Sequence, residues 1–279
     1  MIEKTILVTG ASSGIGLAAA TGMHQRGWQV FATARTQPDL DRLSALGLRA
    51  VHLDFRDPGS IPAAAATVLS ATAGKIGALF NNAGYGQPGA VEDLPSAVLR
   101  DQFEVNVFGW HGLTRALIPA MRANGGGRIV NCSSVLGIAA MKYRGAYVAS
   151  KFALEGLTDA LRLELRGSGI EVSTIRPGPI ASRFVETSLK AFETHIDRQD
   201  SAHAEVYARR LARMQRGGAA RFKLGPEAVV EKLIHALESP RPRPYYAVTT
   251  PTLVMTWARR LLPDRMLIRL LANASDRET

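Results

Sequence analysis

The stretch Ile6-Leu7-Val8-Thr9-Gly10-Ala11-Ser12-Ser13-Gly14-Ile15-Gly16 decides the fold. A short β-branched and apolar run passes straight into a glycine turn, and Leu17 to His24 then reads as a helix. Strand, turn and helix start are the parts of a phosphate-binding βα unit, because the first amides of a helix lack acceptors and face an anion. Gly10 permits the tight turn, Gly14 lets the backbone approach a pyrophosphate, and Gly16 allows close helix packing. The spacing is G-x-x-x-G-x-G rather than G-x-G-x-x-G, and a glycine-rich turn by itself is often only a loop.

Further along, the same alternation repeats. Strand-like runs fall at Ile6 to Thr9, Gln29 to Thr33, Arg49 to Leu53, Ala78 to Asn81, Gly127 to Cys132, Glu171 to Ile175 and Tyr245 to Thr249, with helical patterns between them. Such alternation predicts a parallel, doubly wound sheet of about seven strands with right-handed crossovers and helices on both faces. Ligands in such sheets sit beyond the carboxyl ends of the strands. Gly10, Arg35, Asp54, Asn82, Ser134 and Pro177 all follow predicted strands and converge on one crevice. No repeat, linker or boundary divides residues 1–279, which read as one α/β domain; 279 residues at 46% hydrophobic are ample for its core.

Tyr147 and Lys151 stand four residues apart, with Ser134 upstream. On a helix this step puts phenol and ammonium on one face, where the positive charge favours the phenolate and is expected to lower the tyrosine pKa. Six tyrosines and seven lysines in 279 residues give about 0.15 such pairs by chance, so the pair depends on its surroundings.

Those surroundings carry a resemblance. Thr9 to Gly16, Asn81-Asn82-Ala83-Gly84, Asn106 in Asn106-Val107-Phe108-Gly109, Ser134, Tyr147-x-x-x-Lys151 and Pro177-Gly178 occur in the order and spacing of the short-chain dehydrogenase/reductase family. The resemblance covers about residues 3 to 180 and implies a three-layer, Rossmann-like domain performing nicotinamide-dependent hydride transfer. It implies that Tyr147 is the general acid, that Lys151 binds the nicotinamide ribose and tunes the tyrosine, and that Ser134 rather than Ser133 binds the substrate oxygen. Asn106 would hold a helix break and a water feeding Lys151; Asp54, with Phe55 beside it, would hold the adenine. Asn82, Ala83 and Gly84 would pass beneath the cofactor, Ile15 would belong to its phosphate turn, and Pro177, Gly178, Ile180 and Ser182 would hold the nicotinamide amide. Ser182 stands where threonine is commoner. An Asp54 that merely caps the helix after Pro58 is the alternative. No metal is expected.

Cofactor choice is read at Ala32-Thr33-Ala34-Arg35. An acidic side chain here would accept from the ribose hydroxyls and repel a 2′-phosphate, whereas a guanidinium at Arg35 suits that phosphate, with Ser12 and Ser13 as added donors. NADP (NADPH) is therefore the expected cofactor, and a solvated loop arginine is the alternative.

Residues Arg183 to Lys223 read as a long helical insertion, so a substrate lid is expected at about 180–225. Phe184, Val185, Leu189, Phe192, Tyr207, Leu211 and Met214 could line an apolar pocket, although helical spacing favours ordinary packing for most of them. Val135, Leu136, Ile138 and Met141 also favour an apolar carbonyl or alcohol substrate, resembling the steroid, retinoid and lipid-aldehyde branches.

Between Tyr207 and Leu271 there are thirteen Lys plus Arg against four Asp plus Glu, a surplus of nine that nearly equals the whole-chain +10. The extension at about 250–279 mixes apolar residues with Arg259, Arg260, Arg265 and Arg269; these charges and Pro263 exclude a membrane-spanning helix. A helix packed on the body or on a neighbouring subunit is one reading, and peripheral contact with a membrane is the other. Nucleic-acid binding lacks a recognisable module. The single cysteine, Cys132, excludes an internal disulfide and is expected in the core of a cytoplasmic protein, and the immediate first strand leaves no room for a signal peptide. Relatives commonly form homodimers or homotetramers through the helices that carry Asn106 and Tyr147. A dehydratase or epimerase on the same fold, and an NADPH-sensing protein without turnover, are the competing functions.

Overall fold

The computed structural model describes residues 2–215 and 222–277. β1 (Thr5–Val8) and β4 (Ala78–Asn81) are buried along their whole length, and β2 (Gln29–Ala34) and β5 (Gly127–Cys132) nearly so. Strands covered on both faces are apolar throughout, which is why Ile6-Leu7-Val8 shows no alternation. With β3 (Arg49–His52), β6 (Ile170–Arg176) and β7 (Tyr245–Ala247) they form one seven-stranded sheet. Every pair is parallel, in the order β3-β2-β1-β4-β5-β6-β7. The fold is the expected Rossmann-like one, and each expected strand is present within two residues at either end.

The strand order reverses between β1 and β4, where Val8 pairs with both Ala32 and Phe80. The turns leaving these strands therefore open the crevice at which such sheets bind ligands. α1 (Gly14–Gln25) and α2 (Gln37–Ala45) return the chain to β2 and β3; α3 (Ser60–Ala71) leads to β4. Between β4 and β5 run α4 (Ser96–Phe103), a π-helical segment (Glu104–Phe108) and α5 (Gly109–Ala123). α6 (Gly145–Glu164) connects β5 to β6.

One crossover departs from the expected right-handed rule. α9 (Glu227–Glu238), between β6 and β7, packs on α1: a Cβ at Gly22 would lie 3.1 Å from Val230 Cγ1, and Glu238 accepts from Trp28 Nε1 at 3.0 Å and Arg26 Nε at 3.1 Å. α1 and α9 thus share a face, yet β1 to β2 and β6 to β7 step in opposite directions across the sheet. Two such connections must have opposite hands. The rule binds short βαβ units, whereas β6 reaches β7 only after a long excursion beyond the strand ends.

That excursion contains α7 (Phe184–His195) and α8 (Ala204–Gln215). Phe192, Ile196, Tyr207 and Leu211 form with Ala90 a small core of their own, separate from the main one. The segment after β4 holds it in place. Tyr207 Oη accepts from the Ala90 amide at 2.8 Å and donates to Asp93, which also accepts from Ser201 Oγ at 2.6 Å. The C-terminal extension divides at Pro263 into α10 (Thr250–Leu261) and α11 (Asp264–Asp276). It docks on the body: Arg259 Nη1 donates to Ile138 O at 2.9 Å, and Ser275 Oγ accepts from the Lys142 amide at 3.2 Å. No helix among the described residues is long and apolar enough to cross a membrane. Of the expected spans, Met1, residues 216–221 of the lid, and residues 278–279 lie outside the described residues.

Candidate active site

The glycine turn is stitched to the turn after β4. Thr9 Oγ1 accepts from the amides of Asn82 at 2.8 Å and Ala83 at 3.0 Å, and Asn82 Nδ2 donates to Thr9 O at 3.0 Å. Gly10 adopts φ +67°, and a Cβ there would come within 2.7 Å of Ala83 Cα. At Gly16 a Cβ would meet Gly10 O at 2.1 Å, so the start of α1 lies directly on the turn. The first turn of α1 carries no carboxylate, and the amides of Gly14, Ile15 and Gly16 precede the helical ladder. These features fit a pyrophosphate.

Arg35 stands exposed just beyond β2 with no acidic residue at Ala34, a position that fits a second phosphate. Arg42, not singled out from the sequence, reaches back from α2: its Nη2 donates to Ser12 O and pairs with Asp39 Oδ1 at 2.8 Å. Asp54 does not cap α3, whose N-cap is Gly59. Its Oδ1 instead accepts from the Arg56 amide at 3.1 Å, and its own amide donates to Ser60 Oγ at 2.8 Å. Phe55 turns its ring into the core, where a Cβ on Gly109 would lie 2.4 Å from Phe55 Cγ. Any part it takes at the crevice is thus through its main chain.

Tyr147 lies in the first turn of α6 with Lys151 one turn on, and both are buried. Asn106 sits within the π-helical segment, the expected helix break. Its Oδ1 accepts from the Tyr85 amide at 3.2 Å, and its Nδ2 donates to Tyr85 O at 2.9 Å and to Ser150 Oγ at 3.2 Å. Ser150 Oγ donates in turn to Tyr147 O at 2.8 Å, which fixes Asn106 against the α6 start. Ser134 opens the short 3₁₀ turn Val135–Gly137, and its Oγ accepts from the Leu136 amide at 3.1 Å. Ser133 is the more deeply buried of the two serines.

The electrostatics differ from the sequence expectation. Burial pushes the Tyr147 phenol well above its ordinary value, with the Ser134 hydroxyl opposing it, rather than Lys151 pulling it down. Burial also pushes Lys151 down to about 8, opposed by Cys132 and Glu155. The reason is placement: Lys151 Nζ donates to Cys132 O at 2.8 Å and lies 5.7 Å from the Tyr147 ring centroid. Desolvation of two buried groups outweighs an attraction at that range. Cys132 is buried and its thiol is pushed up to about 11, in keeping with a core cysteine.

The segment after β6 closes the crevice from above. Val135 donates its amide to Pro177 O at 2.7 Å, and a Cβ at Gly178 would meet Thr249 Oγ1 at 2.1 Å. Ile180 bridges to Leu224, and Ser182 lies over Gly14, whose Cβ would come within 2.9 Å of Ser182 Cβ. Phe184 packs on Tyr147 with ring centroids 5.3 Å apart. Val185, Leu189 and Met214 line a cleft within the α7–α8 segment, and Phe192, Tyr207 and Leu211, which form the small core there, also line with Met214 a second cavity against Gly89 and Tyr143. Two features escaped the sequence reading. Glu155 and Arg176 form a buried bidentate ion pair at 2.9 and 2.7 Å beneath α6, and Trp110 lies with its ring against Lys151. Neither belongs to a motif; each is recognisable only from its neighbours.

Comparison with known proteins gives consistent results. The family model described as short chain dehydrogenase matches residues 4–192. The chain is 42% identical over 271 residues to the uncharacterized oxidoreductase YbbO of Escherichia coli K12, covering 97% of this chain and 95% of that protein. It is 32% identical over 275 residues to the NADPH-dependent 3-dehydrocapnine reductase of Ornithobacterium rhinotracheale, covering 95% and 94%. A short chain dehydrogenase/reductase from Burkholderia phymatum, solved in complex with NAD, superposes with a TM-score of 0.78 at 28% identity over 96% of this chain and 95% of that one.

Proposed function

This chain belongs to the short-chain dehydrogenase family of oxidoreductases, and from that premise we propose that it interconverts a carbonyl and an alcohol on an apolar substrate with NADP(H). The observation that carries this reading is the convergence of Tyr147, Ser134, Lys151 and Asn106 beside a phosphate-suited turn. When bound, NADPH supplies a hydride to the carbonyl carbon. Tyr147 donates its phenolic proton to the carbonyl oxygen while the Ser134 hydroxyl stabilises the developing charge. A phenol whose pKa is raised by burial keeps its proton at neutral pH, which suits the reductive direction. Lys151, near 8, replenishes that proton, and Asn106 fixes the first turn of α6 through Ser150.

Arg35 and the absence of a carboxylate at Ala34 support NADP(H), as does an NADPH-dependent relative, although a neighbour in structure holds NAD. Phe184 against Tyr147, with Leu136, Ile138 and Val185 nearby in the chain or lid, supports an apolar substrate such as a lipid aldehyde, retinoid or steroid. We read the chain as one domain. Exposed Phe108, Leu157 and Leu163 on the segments carrying Asn106 and Tyr147 support a homo-oligomer. Exposed Leu253, Trp257 and Leu261 on one side of α10, with Arg260 beside them, support peripheral contact of a cytoplasmic protein with anionic lipid.

The test mixes the purified protein with NADPH and a panel of long-chain aldehydes, retinal and ketosteroids, following loss of the nicotinamide absorbance. Turnover that disappears in Tyr147→Phe, with NADPH binding retained, supports the reading. Tight NADPH binding without oxidation by any carbonyl would make the protein a sensor instead.

A further inference from the structure

Lys151 is a cation with little to hold it. It is 3% exposed, and its Nζ donates one hydrogen bond, to Cys132 O. Glu155 lies one turn further along α6, but its carboxylate is engaged by Arg176 from β6. Tyr147 and Cys132 are the other titratable groups facing the ammonium, and both are neutral at physiological pH; Arg144 lies at the entry of α6 on the Tyr147 side. Two rings border the ammonium otherwise, that of Tyr147 at 5.7 Å and, closer, the face of Trp110. The ring centroid is 4.4 Å from Nζ, well inside the range at which an aromatic quadrupole attracts a cation. The indole is itself fixed: Trp110 is 1% exposed in the first turn of α5, and its Nε1 donates to Ala83 O at 2.7 Å.

We propose that Trp110 is a positioning residue that holds the Lys151 ammonium by its indole face, keeping it charged and aimed at the crevice. Two links of the site then meet in one side chain. The ring acts on Lys151, and the indole N–H anchors the main chain of Ala83, which belongs to the turn stitched to Gly10. The attraction matters because burial works against it. Burial lowers Lys151, a desolvated cation–π contact opposes that shift, and its loss therefore moves the group toward the neutral form. A neutral lysine cannot replenish the proton of Tyr147, so reduction would fail from the alkaline side first. The role in turnover rests on the function proposed above; the effect on Lys151 itself does not.

The experiment therefore reads Lys151 directly. Among only seven lysines, its Nζ can be followed by NMR in protein labelled with 15N-lysine and assigned with Lys151→Met. Trp110→Phe keeps a smaller and weaker aromatic face and loses the indole N–H, so its Lys151 pKa should fall, but by less than in the variant that has no ring. Trp110→Met keeps bulk without that face and should lower the pKa by about one unit. Replacing all three tryptophans by 5-fluorotryptophan withdraws ring charge with almost no change of shape and should lower it by a smaller step, a measurement that survives even if Trp110→Met does not fold. An unchanged or raised Lys151 pKa in the fluorinated protein overturns the proposal. In the rate arm, the alkaline limb of carbonyl reduction should move to lower pH in the same order. If no carbonyl is reduced while the Nζ titration shifts as stated, the function falls and the role of Trp110 stands.

Discussion

Replacing Lys151 with methionine should change how stability depends on pH, by an amount the structure supplies. The folded protein holds this group at about 8 against an ordinary value of 10.5. That difference corresponds to ~3.4 kcal/mol at about 1.36 kcal/mol per unit. Below pH 8 both folded and unfolded chains carry the proton, and folding bears the full cost of burying the charge. From pH 8 to 10.5 the unfolded chain keeps a proton the folded chain has released, so wild-type stability rises through that window. Integrating the two titrations recovers about 2.5 kcal/mol between pH 7 and pH 10. Lys151→Met has no such titration and fills the same volume with an apolar chain. The stability of Lys151→Met relative to wild type should therefore fall by ~2.5 kcal/mol over the same range, whichever protein is the more stable at pH 7. Urea midpoints measured at pH 7, 8, 9 and 10 read this as a change of ~0.8 M in the gap, taking a slope of ~3 kcal/mol/M. Tyr147 is common to both proteins and titrates above the range. A difference that stays constant, or that moves in favour of Lys151→Met toward alkaline pH, would refute the claim that Lys151 is a costly buried cation.

Arg35→Asp should move cofactor preference from NADPH toward NADH by one to two decades, the worth of about 1.5–3 kcal/mol for a lost charge-assisted contact, as read from the ratio of kcat/KM values. Glu155→Gln breaks the buried pair with Arg176, whose guanidinium also lies 4.0 Å from the Tyr245 ring centroid, and should cost about 3–5 kcal/mol in urea unfolding. Gly16→Ala drives a methyl to 2.1 Å from Gly10 O, so NADPH affinity measured by fluorescence titration should collapse before the fold does. Truncation after Leu262 removes α11 and its contacts with Lys142, and should spare cofactor binding while altering substrate range. A cut at Thr252 is less informative, because Thr252 is buried and bonded to Thr249 under Gly178.

Much of the fold was legible because its signals are local. Strands buried on both faces must be apolar from end to end, and Ile6-Leu7-Val8 and Ala78-Leu79-Phe80 can hardly be read otherwise. Gly10 and Gly16 declare their turn because no other residue fits where they lie. The opposite-handed connection to β7 was not legible, since it depends on α9 meeting α1, far away in sequence. The excursion after β6 was read as helical, as α7 and α8 are, but which of its apolar residues line a cleft was not legible, because helical periodicity is the same for Phe192 in the small core and for Val185 at the cleft.

By itself the sequence determined the parallel sheet, the phosphate turn and the order of Asn106, Ser134, Tyr147 and Lys151. Each is written in spacing, and spacing on a strand or helix sets which residues share an end or a face. Only the tertiary structure decided how those residues are charged. The step from Tyr147 to Lys151 suggested an ammonium lowering a phenol, yet folding buries both, turns Nζ to Cys132 O and the Trp110 face, and raises the tyrosine instead. A pKa is set by desolvation and by whatever lies within a few ångströms, and those neighbours come from β5 and α5, elements whose approach no local pattern records.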